Sequence, residues 1–226
     1  LGRIKNRLLL AEKSQYNWLL FIDVDTIPND ENFLKNYINQ KDQGVIFFGG
    51  CIYKESENIN CSLRYKFGKN REEVNSTQRN KNPFKYISSV NFMSKKNLIV
   101  EVLSQIENIS YGNDYVFGSI LKKKNIDVIH FDNPVLIEDI DENSIFVGKT
   151  HQALENIIKY YKSKGLQKHS ISILKAYKIL DSLFLKKLFV KLSSIFMNIL
   201  EKNLYKENPN LFLFDIYRLN YLCKIN

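Results

Sequence analysis

The sequence predicts an α/β fold, a sheet with helices on its faces, with an all-helical C-terminal extension. Over residues 1–142, short apolar runs suited to strands alternate with segments of helical period, the pattern of helices packed on the faces of a sheet. From Asn143 onward only helical patterns remain, so residues 143–226 are expected to form a separate helical part. The continuous apolar run Trp18–Ile22 suits a strand covered on both faces.

The elements follow in order. Arg3–Lys13 reads as a helix, Trp18–Ile22 as a strand and Asp30–Gln40 as a second helix. Val45–Phe48 is a strand that ends at Gly49-Gly50. Residues 54–85 are polar and lack a clean period, which predicts a long loop with helical pieces. Tyr86–Ser94 is expected as a strand, Lys95–Leu103 as a helix, Tyr111 to about Lys124 as a helix, and Asp127–Phe131 as a short strand. The chain opens on Leu1 and a helix, so it is read as a fragment or processed product that has lost upstream sequence.

Charge is unevenly placed. Residues 1–148 carry nineteen basic and nineteen acidic side chains, and all of the formal +9 lies in 149–226. Basic tails meet nucleic acid or anionic lipid. This tail is rich in Leu, Ile and Phe and has no zinc or helix-turn-helix pattern, which argues against nucleic acid. Within Ile179–Leu200, three lysines interrupt the apolar pattern and leave no run of the roughly 20 residues a spanning helix needs. A basic amphipathic helix on an anionic membrane surface and a helix packed on the domain both fit those residues. The three cysteines, Cys51, Cys61 and Cys223, lack metal-ligand spacing and suggest a reducing compartment.

The chemistry-bearing residues start at WLLFIDVDTIPND, Trp18 to Asp30. Two carboxylates at the end of an apolar strand repel each other unless a cation or proton sits between them. On an extended chain residues 23 and 25 share a face, so Asp23 and Asp25 could meet one divalent metal. The plainer alternative is a strand ending in an acidic turn, stopped by Pro28, with Asp30 capping the next helix. At Gly49-Gly50 the missing side chains admit either a ligand's close approach or a tight turn. Asp114 stands at a helix start, where capping is the ordinary role. Asn91 lies inside an apolar strand, where its amide must find a partner.

Taken together, these segments resemble the family 2 glycosyltransferases of the GT-A type. The resemblance rests on the helix with Arg7, the strand ending in Asp-Val-Asp, Pro28, the strand ending in Gly-Gly, the "SVNFM" strand and "YGNDYVFGSILKKKNIDVIHFDNPV". The tail "NLFLFDIYRLNYLCKI" is similar to the C-terminal helix of a bacterial subgroup, so the likeness covers nearly the whole chain.

The resemblance implies a GT-A, Rossmann-like mixed sheet flanked by helices and lacking its first strands, and an inverting, metal-dependent sugar transfer serving cell-envelope polysaccharide. The partners it implies are a nucleotide-sugar donor, of which a UDP-sugar is the expected kind, and a glycan or lipid-linked acceptor. By position, Asp25 would ligate Mn²⁺ or Mg²⁺ at the donor diphosphate, and Asp23 would support the metal or the donor ribose. Arg7, Gly50 and Asn91 would approach the donor, and Asp114 would be the general base. The expected location is cytoplasmic, peripheral on the inner face of the cell membrane.

Two positions depart from the family pattern. Asn113 stands where an acid is expected. Ile137 stands where a histidine ligand is expected, with Glu138 or Asp139 next door as substitutes, or His130 if the loop folds back, although a histidine in an apolar strand is more often structural. Two other readings compete. One is a phosphohydrolase of the haloacid dehalogenase type, in which the first Asp is a nucleophile. The other is a non-catalytic, membrane-surface or partner-binding protein on a decayed transferase fold.

Overall fold

The amphipathic run Arg3–Lys13 forms helix α1, which buries Ile4, Arg7 and Ala11. The apolar run Trp18–Ile22 forms β1. The computed structural model, which describes residues 2–107, 110–164 and 169–226, continues with β2 (Thr26–Pro28), α2 (Phe33–Gln40), β3 (Ile46–Phe48) and β4 (Cys51–Tyr53). The polar stretch holds short helices α3 (Ser62–Phe67) and α4 (Ser76–Lys81) among tighter and wider helical turns. Then come β5 (Asn91–Lys95), α5 (Lys96–Ser104), α6 (Asn113–Lys123), β6 (Ile129–His130) and β7 (Val135–Ile137). The remainder is helical: α7 (Asn143–Lys164), α8 (Ser172–Ser182), α9 (Lys186–Ile195), α10 (Met197–Asn203) and α11 (Leu211–Lys224).

The chain is α/β and divides into two units. Of the described residues, 2–54, 69–139 and 169–170 make the first, and 55–68, 140–164 and 171–226 the second. The division thus falls at 139/140, three residues before the expected 142/143, and the 55–68 segment belongs with the C-terminal helices.

The first unit holds two small mixed sheets. One has the order β1-β5-β3-β6, with β5 antiparallel to both β1 and β3, and β6 parallel to β3. Ile22 faces Asn91 across the β1–β5 pair, which places the end of β1 beside the start of β5. The other has the order β2-β7-β4, antiparallel between β2 and β7 and parallel between β7 and β4. Pro28 sits on the edge strand β2, where a missing N–H costs no ladder bond. The core of the unit is aromatic: Phe48 packs against Phe92, Phe117 and His130, and Phe21 stacks on Phe92.

Several expectations are corrected here. β1 lies at a sheet edge and is only half-buried, whereas β3 is the fully buried strand. The helix expected from Asp30 begins at Phe33, because the Asp30 carboxylate closes a local turn on the Asn32 N–H. The strand expected over Tyr86–Ser94 forms only from Asn91. The Ser89 N–H and C=O, which a ladder would use, bond to side chains instead. The three-residue strands β2, β4 and β7 are too short for a sequence period to reveal.

The second unit packs around Leu63, Val147, Leu204 and Phe214, with Phe67, Phe146, Leu211 and Tyr217 against them. α11 is its central helix and contacts α3, α7, α8, α9 and α10. The Asn210 side chain caps α11 by accepting from the Phe212 and Leu213 N–H groups. Among the described residues, no helix is long and apolar enough to cross a membrane.

Candidate functional site

The end of β1 is a turn rather than a continued strand. The Asp23 N–H donates to Val90 O at 3.0 Å, and the Asp23 carbonyl accepts from the Thr26 N–H (3.2 Å) and hydroxyl (2.8 Å). Residues 23 and 25 therefore do not share a strand face through period-two alternation, and that part of the expectation is corrected. Asp23 is half-buried while Val24 and Asp25 are exposed. Among the described residues, the Asp25 carboxylate makes no hydrogen bond or ion pair.

Asp23 is held from α1. Arg7, itself buried, donates to Asp23 Oδ1 at 2.5 Å and to the Ser89 carbonyl at 2.7 Å. Arg3 adds a longer ion pair at 3.6 Å. The charge-assisted Arg7 bond, in a half-buried place, is stronger than an exposed one. With the Arg3 ion pair it leaves Asp23 neutralised by guanidinium, so its carboxylate has no need of a cation to lie beside.

The same Ser89 reaches Asp114. Its N–H donates to Asp114 Oδ1 at 3.3 Å, so one residue joins Arg7 on α1 to Asp114 on α6. The N-cap of α6 is Gly112, so Asp114 is not the cap but a residue of the first helical turn. Although part of Asp114 remains exposed, burial of its carboxyl raises its pKa. The Ser89 hydrogen bonds and the Arg7 and Arg3 charges oppose that shift. Arg7, Asp23 and Asp114 thus form one cluster, with Asp25 on the adjoining turn.

Gly50 and Asn91 belong to a second cluster. Asn91 is 1% exposed; its oxygen accepts from the Tyr37 hydroxyl (2.6 Å) and its amide donates to the carbonyls of Gly50 (2.9 Å) and Asn133 (2.8 Å). Both ends of the amide are thus engaged within the protein. A donor contact, as the resemblance implies, would require exchanging one of those bonds.

The Gly-Gly pair is explained by the same packing. A Cβ on Gly49 would lie 2.4 Å from Asn133 O, and one on Gly50, at φ +86°, would lie 2.9 Å from the Arg79 guanidinium. What approaches these glycines is the chain itself, which fits the tight turn, one of the two readings the sequence left open. Arg79, 3% exposed, donates to the carbonyls of Phe48, Gly49 and Phe131 and to Asp132.

The substitute metal ligands are also placed. His130 is buried, with Nε2 2.9 Å from Pro83 O and Nδ1 3.3 Å from Arg79 Nη1. Arg79 can only donate, so Nδ1 accepts and Nε2 carries the proton. That neutral tautomer has no lone pair left for a metal, and His130 is a structural residue, the commoner role of a histidine in an apolar strand. Glu138 pairs with Lys54 at 2.7 Å on the surface.

Among the described residues, no group of three or more His, Cys, Asp or Glu side chains is gathered to hold a metal. Sequence reasoning missed Ser89, Tyr37 and Arg79. Ser89 acts through its own backbone and Arg79 on the backbone carbonyls of other residues, neither of which leaves a sequence signature, whereas Asn133 lay in the "DNP" already singled out. No protein-family model matches the chain, and no curated protein matches it.

Proposed function

We propose that this chain is a metal-dependent inverting glycosyltransferase of the GT-A type, moving a sugar from a nucleotide donor to a hydroxyl of a glycan or lipid-linked acceptor. The observation that carries the reading is the Arg7–Asp23–Ser89–Asp114 cluster at the end of β1, with the uncommitted Asp25 next to it. It pairs a carboxyl whose pKa is raised by burial with an exposed carboxylate, the division of labour that base catalysis beside a bound cation requires.

In this reading Asp114 accepts the proton of the acceptor hydroxyl. The hydroxyl oxygen bonds to the anomeric carbon as the carbon–oxygen bond to the diphosphate breaks. A raised pKa makes Asp114 a stronger base than an ordinary carboxylate. Ser89 and Arg7 hold the cluster in place, and Asn91, Tyr37 and Asn133 fix the neighbouring Gly49-Gly50 turn.

Mg²⁺ is commonly bound by one or two carboxylates together with substrate phosphates, without an all-protein cage. Asp25 alone fits that mode for Mg²⁺ or Mn²⁺, because the Asp23 carboxylate is already taken by Arg7 and Arg3. Such a cation would offset the charge on the departing nucleoside diphosphate. The donor in this reading is a nucleotide sugar, a UDP-sugar in the first instance, and the reaction would run in the cytoplasm or at the inner face of the cell membrane.

The phosphohydrolase reading is weakened by Asp23. As nucleophile it would have to be open to substrate, yet both its oxygens face guanidinium groups. The test is a panel of nucleotide sugars assayed for Mn²⁺-dependent release of nucleoside diphosphate in the presence of acceptor glycans. Release from one donor that disappears in Asp114→Asn supports the reading. Binding of donors without turnover by any of them would support the decayed, non-catalytic alternative.

A further inference from the structure

The turn between α8 and α9 carries an unusual residue. The Leu185 N–H bonds to Leu180 O at 2.8 Å and the Phe184 N–H to Asp181 O at 3.0 Å, the paired bonds of a helix C-terminal motif that needs a left-handed residue. α6 ends in the same motif, with the Ile126 N–H on Leu121 O and the Asn125 N–H on Lys122 O. There the left-handed position is filled by Asn125, a residue that tolerates it. At the end of α8 it is filled by Phe184, at φ +58° and 93% exposed. A bulky ring in that conformation is strained and gains no packing in return.

The helix that follows extends the apolar surface. α9 turns Ser193 inward, where it accepts from Asn220 on α11, with Phe189 and Val190 half-buried beside it. Leu188, Leu192 and Ile195 all lie exposed at the spacing of one helix face, and Ile199 beyond the helix is exposed as well. Lys187 and Lys191 form an adjacent exposed stripe one residue earlier in the same period. Neither lysine makes a hydrogen bond or ion pair among the described residues. Between Asp181 and Glu201 there are three lysines and no acid.

From these observations we infer that the α8–α9 turn and the outer face of α9 form a docking surface for an anionic lipid bilayer. Phe184 and the Leu188–Leu192–Ile195 face enter the headgroup boundary, and Lys187 and Lys191 contact the lipid phosphates. The charge selects this occupant. A second copy of the chain would bring the same uncompensated lysines against its partner, whereas an anionic bilayer neutralises them and buries the apolar stripe at once. The strained Phe184 is then accounted for, because its ring gains a partner only in the docked state. The inference does not depend on the transferase reading, and its test needs no enzyme activity.

The experiment is co-sedimentation of the full chain with vesicles of phosphatidylcholine alone or with about one third phosphatidylglycerol, together with thermal unfolding of each variant. The wild type is expected to bind the anionic vesicles and to be partly released by salt. Lys187→Gln/Lys191→Gln should bind anionic vesicles at least about tenfold more weakly, at an unchanged unfolding temperature. Phe184→Gly should weaken binding and raise the unfolding temperature, since glycine relieves the left-handed strain. Binding that ignores both variants, or no vesicle binding at all, would overturn the inference. So would a dimer in light scattering that Leu192→Ser dissociates in the absence of vesicle binding, which would assign the face to a second copy.

Discussion

The Arg7 guanidinium bonds to the Asp23 carboxylate at 2.5 Å and to the Ser89 carbonyl at 2.7 Å, and through Ser89 it acts on Asp114. Its positive charge favours ionised Asp114, while burial favours the protonated form and prevails. A base works only when deprotonated, so the acid limb of the pH–rate profile should lie above the ordinary carboxylate range. Arg7→Gln removes a charge that lowers the Asp114 pKa, and that limb should move further to alkaline pH. A limb that stays put in kcat/KM against pH would separate Asp114 from the rate-determining proton transfer. Asp114→Asn should cost about 10²–10⁴-fold in transfer, the usual size of a general-base contribution.

Asp25 is exposed on the 23–26 turn, so replacing it disturbs no packing. Asp25→Asn keeps the shape and removes the charge, and an amide cannot offset a dication as a carboxylate does. Mn²⁺ binding in the presence of nucleoside diphosphate should fall at least about tenfold, with the unfolding temperature unchanged. Calorimetric titration reads this directly, and equal Mn²⁺ affinity would remove Asp25 from the metal site.

How much of this was legible in the sequence depended on the kind of signal. Trp18–Ile22 and Asn113–Lys123 announced themselves because apolar run and helical period are local properties. The second sheet did not: Thr26–Pro28, Cys51–Tyr53 and Val135–Ile137 become strands only by pairing with one another across the chain. At the site, the charged types Arg7, Asp23 and Asp114 could be singled out from sequence. Their shared partner is the backbone of Ser89, and a serine among serines carries no such mark. Asn91 was read correctly as needing partners, while the identity of those partners, Tyr37, Gly50 and Asn133, is a matter of tertiary packing.

Asn91 satisfies three buried groups at once, so its loss should be felt in stability before activity. Asn91→Ala leaves the Tyr37 hydroxyl and the Asn133 carbonyl short of a partner, at about 1–3 kcal/mol for an unsatisfied buried group, while the Gly50 carbonyl keeps the Val135 N–H. Water entering the vacated space would reduce the sum, so a loss of about 2–4 kcal/mol is expected. Gly50→Ala, strained at φ +86° and crowded by Arg79, should cost about 1–3 kcal/mol. Urea unfolding measures both; a change below about 0.5 kcal/mol in Asn91→Ala would show that the network does not hold the turn.

His130 makes the first unit sensitive to acid. Burial is the main cause that lowers its pKa from 6.5 to about 4, the Arg79 charge adds to the effect, and the hydrogen bond to Pro83 opposes it. The unfolded chain therefore binds a proton below about pH 6.5 that the folded chain refuses until about pH 4. Wherever the unfolded state holds more protons, stability rises with pH, so this residue's contribution is complete at neutral pH and drains away between about pH 6.5 and 4. Integrated over that window the loss is roughly 3 kcal/mol. Protonation would also place a donor at Nδ1 opposite the Arg79 N–H, so the ring cannot charge without breaking that contact. His130→Gln carries no proton in this range. Its stability at neutral pH should be lower than the wild type's by about 1–3 kcal/mol for the altered hydrogen bonds, but its decline from pH 7 to 4 should be shallower. Carboxylates such as Asp132, whose pKa is lowered, unload their stability at more acid pH and affect both proteins alike. Urea midpoints measured at intervals across this range should thus converge towards pH 4, and curves that stay parallel would mean that His130 titrates freely in the folded protein.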